Sequence, residues 1–340
     1  VTAAGEGEVL YLTAADGGLW AVDVSDPSAP IEESLVTPGV IGAYLSILGA
    51  AHPPALGGLR VLDAETLVVV EAANDCLLAI DRFSSNTVIL FAGDPASGAG
   101  YLDGDLETAR FDLTFESQPF VSADSPPEVW VADTNNHRLV ELSPAGRIIH
   151  IVGGPLRPVL PAAAGDAESD DSDAPAPDFD DETRAGSEPG SFDEPAGLAC
   201  AGEFVYVADK KNRRLQKLRL PGYDFVGACA EPDALGVQPL GVALVGGMVF
   251  CTDNGNHRLV GWRAATLEFC VAAGKWGDAP GEYKDPCGLA ACGDDVLYVA
   301  DTGNHRIQAV SLVGEPLRVF GRFGDEAGKF QSPYGICVAR

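Results

Sequence analysis

The chain has 340 residues, 46% of them hydrophobic, with 50 acidic residues against 22 basic ones and a formal charge of −28. Length and hydrophobic share suffice for a large buried core, while the charge repels polyanions and so disfavours nucleic acid, heparin-like chains and anionic membrane surfaces as partners. No apolar run reaches the roughly 20 residues that a membrane-spanning helix needs, so no membrane span is expected.

In chain order, the first strand-like stretch is "VLYLTAADGGLWAV" (9–22). "LVVVEAANDCLLAI" (67–80) follows, and then four closer copies of one dozen-residue pattern: "VADTNNHRLVEL" (131–142), "VADKKNRRLQKL" (207–218), "CTDNGNHRLVGW" (251–262) and "VADTGNHRIQAV" (299–310). The first stretch aligns on "VLYVADTGNHRIQA" with Ala14 where the others have Asp; in the second, Glu71 replaces Asp and Cys76–Leu77 replace His-Arg. Each copy joins two apolar runs. Upstream of most lies a third run of the form "EPAGLACA" (194–201), "QPLGVALV" (238–245) or "DPCGLAAC" (285–292), and downstream a fourth that ends in glycine. One unit is therefore four short strands bounded by turn residues.

Aligned Asp positions step by 44 residues from Asp209 to Asp253 and by 48 from Asp253 to Asp301. Four-stranded repeats of that period are propeller blades. Runs such as "VLYVA" are apolar at consecutive positions, as a strand covered on both faces must be. The fold expected is all-β: a single six-bladed β-propeller of four-stranded antiparallel blades over 1–340. The chain starts in the second strand of a blade, and "SPYGICVAR" (332–340) supplies an inner strand with no blade after it. The C-terminal strand is therefore expected to pair with the N-terminal blade and close the ring, with Ile336 near Tyr11. Residues 156–192 form an acidic insertion between blades 3 and 4, expected to be disordered because its core, 161–191, is almost free of large apolar side chains.

The P-x-G-(L/V/I) strand followed by A-D-T-x-N-H-R-(I/L) resembles the NHL repeat family, with four strong copies and two degenerate ones. The resemblance implies a six-bladed propeller. It also implies a range of roles: platforms for protein or RNA, sensor domains and, less often, enzymes. Its amidating lyase branch carries zinc-binding histidines at the axis, whereas the inner-strand sequences here contain no His.

In each repeat the Asp (Asp133, Asp209, Asp253, Asp301) sits where a strand ends, placed to accept from turn N–H groups two residues on. The Asn (Asn136, Asn212, Asn256, Asn304) falls where a hairpin needs tolerance of positive φ. The Arg (Arg138, Arg214, Arg258, Arg306) is placed to reach back to a carboxylate as a planar fork. These are architectural roles. His137, His257 and His305 occupy equivalent turns of different blades, too far apart for one zinc ion with ligands at about 2.1 Å. Neither a metal nor a cofactor is expected. "DGDLE" (103–107) lacks the Gly and Glu that a calcium loop requires and reads as a turn.

Two candidate binding features remain. Lys210, Lys211, Arg213, Arg214, Lys217 and Arg219 crowd one hairpin as a candidate site for an acidic peptide or anion, with the acidic insertion as its intramolecular mask. Phe120 and Tyr334 each follow an inner-strand Pro and are expected as aromatic anchors at the channel mouth. The function expected is a non-catalytic scaffold that presents loops to a protein or peptide partner. The alternatives are a hydrolase or lyase at the channel mouth and a small-ligand sensor. Eight cysteines without a CxxC pair favour the cytoplasm, and a chain that begins at Val1 leaves room for a fused domain before it.

Overall fold

The computed structural model describes residues 9–14, 17–24, 31–83, 87–101, 109–121, 127–154, 185–229, 233, 236–324 and 328–339. Six four-stranded sheets are arranged as blades. Blade 1 contains β1 (Val9–Ala14), β2 (Leu19–Asp23) and β3 (Ile31–Val36); a helix, α1 (Pro38–Ile47), leads to blade 2 with β4 (Leu56–Val61), β5 (Thr66–Glu71), β6 (Cys76–Asp81) and β7 (Val88–Ala92). Blade 3 has β8 (Pro119–Val121), β9 (Val129–Asp133), β10 (Arg138–Leu142) and β11 (Ile148–Gly153), and blade 4 has β12 (Pro195–Ala201), β13 (Phe204–Asp209), β14 (Arg214–Arg219) and β15 (Asp224–Ala228). Blade 5 follows with β16 (Pro239–Val245), β17 (Met248–Asp253), β18 (Arg258–Arg263) and β19 (Phe269–Ala273), then blade 6 with β20 (Pro286–Cys292), β21 (Val296–Asp301), β22 (Arg306–Ser311) and β23 (Pro316–Phe320). The last strand, β24 (Pro333–Ala339), returns to blade 1 and pairs antiparallel with β1, Leu12 opposite Ile336 and Tyr11 opposite Cys337.

The ring closes because each blade is apolar on both faces. In β21, Leu297 and Val299 pack with blade 5 while Tyr298 and Ala300 pack with blade 1. The period-2 alternation of a strand thus feeds two cores at once. The buried apolar residues fall into six clusters, one in each seam between neighbouring blades. The inner strands β4, β8, β12, β16, β20 and β24 approach one another in turn around the channel.

Helix α1 departs from the all-β expectation. Pro38 at its first turn suits helix initiation, and Ile41 and Leu45, one turn apart, are buried in the seam cluster of blades 1 and 2. Tyr44 Oη accepts the Leu90 N–H at 2.7 Å, which ties α1 to the outer strand of blade 2. All eight cysteines are free. Of the acidic insertion, residues 156–184 lie outside the described residues, as does "DGDLE". Residues 185–192 are described and join blade 4, with Phe192 fully buried in the seam with blade 3.

Candidate functional site

The repeated motif sits where the second strand of each blade turns into the third. Every motif Asp is fully buried. Its carboxylate accepts from both side chains downstream: Asn136 Nδ2 lies 3.0 and 2.9 Å from the two oxygens of Asp133, and Arg138 Nε lies 2.6 Å from Oδ2. The same contacts recur at Asp209, Asp253 and Asp301. The free side of each carboxylate takes a backbone N–H at 2.8 Å from the linker that enters the same blade: Asp112, Asp193, Gln238 or Lys284. Asn and Arg hold that linker too, Asn through the carbonyls of Gly100, Gly186, Gly236 and Gly277 and Arg Nη2 through those of Arg110, Ser191, Gly236 and Glu282. The unit is a buried hub that fastens the inter-blade linker.

Three expectations about this hub are corrected. First, the positive-φ residue is not the Asn but its successor: His137 (φ 53°), Arg213 (56°), His257 (54°) and His305 (55°). The Asn ends a single 3₁₀ turn, so its amide reaches the Asp three residues back, in the geometry of a tight turn. Second, the Arg meets the motif Asp through Nε rather than as a fork, with Nη2 on linker carbonyls; the expected fork forms at Arg258, whose Nη1 and Nη2 donate to the two oxygens of Asp233 at 2.6 and 3.2 Å. Third, the turn N–H contact expected at the Asp is observed at the longer side chain of Glu71, whose oxygens accept from Ala73 at 3.3 Å and Asn74 at 2.9 Å. Pairing of Glu71 with Cys76 also moves that blade's alignment by one, so Asp75 stands for His and Cys76 for Arg.

The histidines link successive blades. Nδ1 of His137, His257 and His305 accepts the N–H of Glu194, Asp285 and Ser332 at 3.0, 3.1 and 3.0 Å. Each donor immediately precedes the first Pro of the next inner strand and itself has positive φ, 50°, 46° and 50°. Thr134 and Thr302 donate to the carbonyls of Pro195 and Pro333 at 2.8 and 2.7 Å. In blade 2 a carboxylate replaces the imidazole: Asp75 Oδ1 accepts the Leu113 N–H at 2.8 Å. Gln216 and Gln308, two residues after the motif Arg, add Nε2 contacts to Asp209 and Asp301 at 2.8 and 2.9 Å. Sequence reading overlooked them because Val140 and Val260 occupy the same place in blades 3 and 5.

Electrostatics separate blade 2 from the rest. Burial raises the pKa of Glu71 against three N–H donors and Asn74, and no cation of the blade offsets it. Asp75 is pushed up to about 7 by burial, with the charges of Asp112, Asp133 and Glu71 adding to it.

The cations of the basic hairpin do not form one patch. Lys210 bonds Glu116 and Glu194, and Lys211 bonds Glu194 at 2.7 Å. Burial opposes the charge on Lys210, but those carboxylates outweigh it and raise its pKa. Arg213 holds the left-handed turn beside Gly236, and Arg214 belongs to the hub. Lys217 is buried, its Nζ 4.0 Å from the Phe204 ring centroid and 2.9 Å from the Ala264 carbonyl. Arg219, at the far end of β14, lies 3.6 Å from Glu203. Alternation along β14 splits these side chains between two faces and two ends.

Phe120 and Tyr334 are likewise apart. In blades 4, 5 and 6 the inner-strand Pro stands opposite the motif Asp, but Pro119 stands opposite Val131, so Phe120 reaches deeper into the channel. It lines a cavity of about 270 Å³ with Leu198, Leu244 and Val338. Tyr334 lines another, of about 310 Å³, on the motif-bearing face with Glu116, Glu194 and Lys210. There its partner is Phe115, stacked at 5.3 Å and 24°. Linkers of that face also project Trp276 and Phe323, 65% and 66% exposed, at equivalent positions before blade 6 and before β24.

Residues 284–309 match the family model described as NHL repeat, and residues 6–37 and 196–213 match the LVIVD repeat. No curated protein matches the chain. Among solved structures, a chain of a nidogen/laminin complex is 12% identical, with 98% of this chain and 99% of that chain covered at a TM-score of 0.59. A catalytically inactive virginiamycin B lyase from Staphylococcus aureus with quinupristin is 13% identical over 83% and 73%, at 0.51. A protein of unknown function from Bacteroides caccae is 10% identical over 98% and 100%, at 0.56. At such identities the likeness is one of fold. Ring topology and repeat matches together make this chain a six-bladed β-propeller that carries a segment similar to the NHL repeat and segments similar to the LVIVD repeat.

Proposed function

We propose that the propeller is a non-catalytic scaffold whose motif-bearing face takes a protein or peptide partner. The observation that carries this reading is the pair of exposed aromatics, Trp276 and Phe323, displayed by successive linkers on the face that also holds the stacked Phe115 and Tyr334. Large aromatic side chains are favoured anchors at interfaces, and both rings keep most of their surface open although Phe323 meets the His305 ring edge-on at 4.9 Å and Lys284 Nζ lies 5.0 Å from the Trp276 ring centroid. The hub residues around them are engaged in holding the linkers. A charge of −28 favours a neutral or cationic partner segment over an acidic one. A chain of a nidogen/laminin complex shares the frame, which supports the use of such a frame within a protein assembly.

The test is affinity purification from the native source with the wild-type chain and with a Trp276→Ser, Phe323→Ser double variant. A partner held by the wild type should be lost or weakened at least tenfold in the variant, whose thermal midpoint should stay within about 2 °C because exposed positions contribute little to stability. Equal retention by both proteins would move the interface elsewhere.

A further inference from the structure

The inner strands place six register-equivalent residues in one layer of the channel. Arg60, Phe120, Ala199, Ala243, Ala290 and Cys337 stand opposite Val68, Trp130, Tyr206, Phe250, Tyr298 and Tyr11 of the second strands. All six line the cavity of about 270 Å³. Four of them are small, and their size leaves the space open. Arg60 and Phe120 are the two large side chains of the layer, and the rest of the wall is Val, Leu, Ala and the free thiols Cys200 and Cys337.

Arg60 is held at one edge only. Its Nη1 donates to the carbonyls of Leu59 and Ile336, each at 3.0 Å, which fixes the guanidinium between the inner strands of blades 2 and 1. Among the described residues, no carboxylate pairs with it and no acceptor meets Nε or Nη2. Those atoms are not sealed in protein either. A guanidinium stays charged, and here burial lowers its pKa, a sign of missing solvation around the charge. An unpaired cation in apolar surroundings is costly, and that is notable in a chain with an acidic excess. Nε and Nη2 form the side-on fork that matches a carboxylate.

The approach to this layer holds a second cation. A neighbouring cavity of about 400 Å³ shares Val61, Ala291 and Val338 with the first and contains Arg82. Arg82 bonds Tyr11 Oη at 3.2 Å and the Ala64 carbonyl at 3.1 Å, again without a carboxylate partner among the described residues. Asp63 lines that cavity too, but its Oδ1 is turned into its own turn, 2.8 Å from the N–H groups of Glu65 and Thr66.

We propose that the central channel is a binding site for a small organic monocarboxylate, with the carboxylate forked on Nε and Nη2 of Arg60 and the apolar body against Phe120 and the alanine wall. The volume lies below the range of about 300–1,000 Å³ typical of drug-sized ligands, so acids of the size of hexanoate or benzoate fit the class. An inorganic anion would satisfy the cation but leave the apolar wall unfilled. This site is in the channel, away from the exposed aromatics, and stands or falls separately from the scaffold reading.

Calorimetric titration of the full chain with hexanoate and benzoate, with hexanamide and benzamide, and with inorganic phosphate provides the test. Each acid should bind at one per chain, its amide and phosphate at least tenfold more weakly. Arg60→Met should weaken the acids at least tenfold, Arg60→Lys less, and Phe120→Ala should weaken acid and amide alike. If Arg60→Met fails to fold, the acid-to-amide ratios of the wild type and of Phe120→Ala decide. Acids that bind no better than their amides, phosphate that binds as well as the acids, or a folded Arg60→Met chain with undiminished affinity would each overturn the proposal.

Discussion

The motif Asp is a buried charge, and a buried carboxylate is tolerated only when it is paired and hydrogen-bonded. At Asp133 two side chains and one linker N–H meet that condition. Blade 2 has no Arg in its hub, and burial raises the pKa of both its carboxyls. Asp75 in the folded protein titrates at about 7 rather than 3.8. Between those values the folded chain keeps a proton that the unfolded chain has released, so stability falls as pH rises through this window, and the loss is complete above pH 7. Burial of Glu71 acts with the same sign. Asp75→Asn removes the charge and keeps an oxygen to accept the Leu113 N–H. It should flatten the stability profile between pH 4 and 7 and raise stability at pH 8 by on the order of 2 kcal/mol, measured by urea unfolding at several pH values. The roles of Asp and Arg as hub partners were legible from their spacing, because a tight hairpin brings residues three and five apart together. The role of the histidines was not, because their partners lie 57, 28 and 27 residues away in the next blade.

At the scale of the element, the glycine of P-x-G explains how neighbouring inner strands meet. A Cβ on Gly197 would stand 2.1 Å from the Leu240 carbonyl oxygen, and one on Gly241 would stand 2.4 Å from that of Cys287. No side chain fits between the two backbones. Gly241→Ala should therefore cost about 1–3 kcal/mol through overpacking. Gly39→Ala, in the exposed first turn of α1 with no atom nearer than 3.9 Å to the new methyl, should be neutral or slightly stabilising. Chemical denaturation of both variants gives the comparison, and equal midpoints would contradict the close-approach account. The strands themselves were readable from consecutive apolar positions and turn residues. Helix α1 was missed because its apolar pair, Ile41 and Leu45, is a short signal within a ten-residue segment.

For the whole molecule, closure is the step on which the other packing depends. Without β24, β1 loses its inner neighbour, and the seams of blade 1 with blades 2 and 6 lose Cys337, Ala339 and Ile336. An open strand edge promotes association. Deletion of residues 333–340 should abolish a single cooperative unfolding transition and shift the protein to aggregates on size-exclusion chromatography. A synthetic peptide of 332–340 added in trans should recover part of the monomer. A cooperative, monomeric deletion variant would show that the ring does not need its closing strand. The sequence alone determined the number of blades, the strand pattern, the closing strand and the hub residues, because strand alternation and tight turns are local and repeat with a fixed period. Only the tertiary structure decided that the basic hairpin is divided, that Phe120 and Tyr334 lie in different cavities, and that Arg60 faces the channel with no carboxylate partner among the described residues. Those outcomes depend on which faces six separate strands turn toward one axis, and a one-residue difference in register between blades reverses that choice.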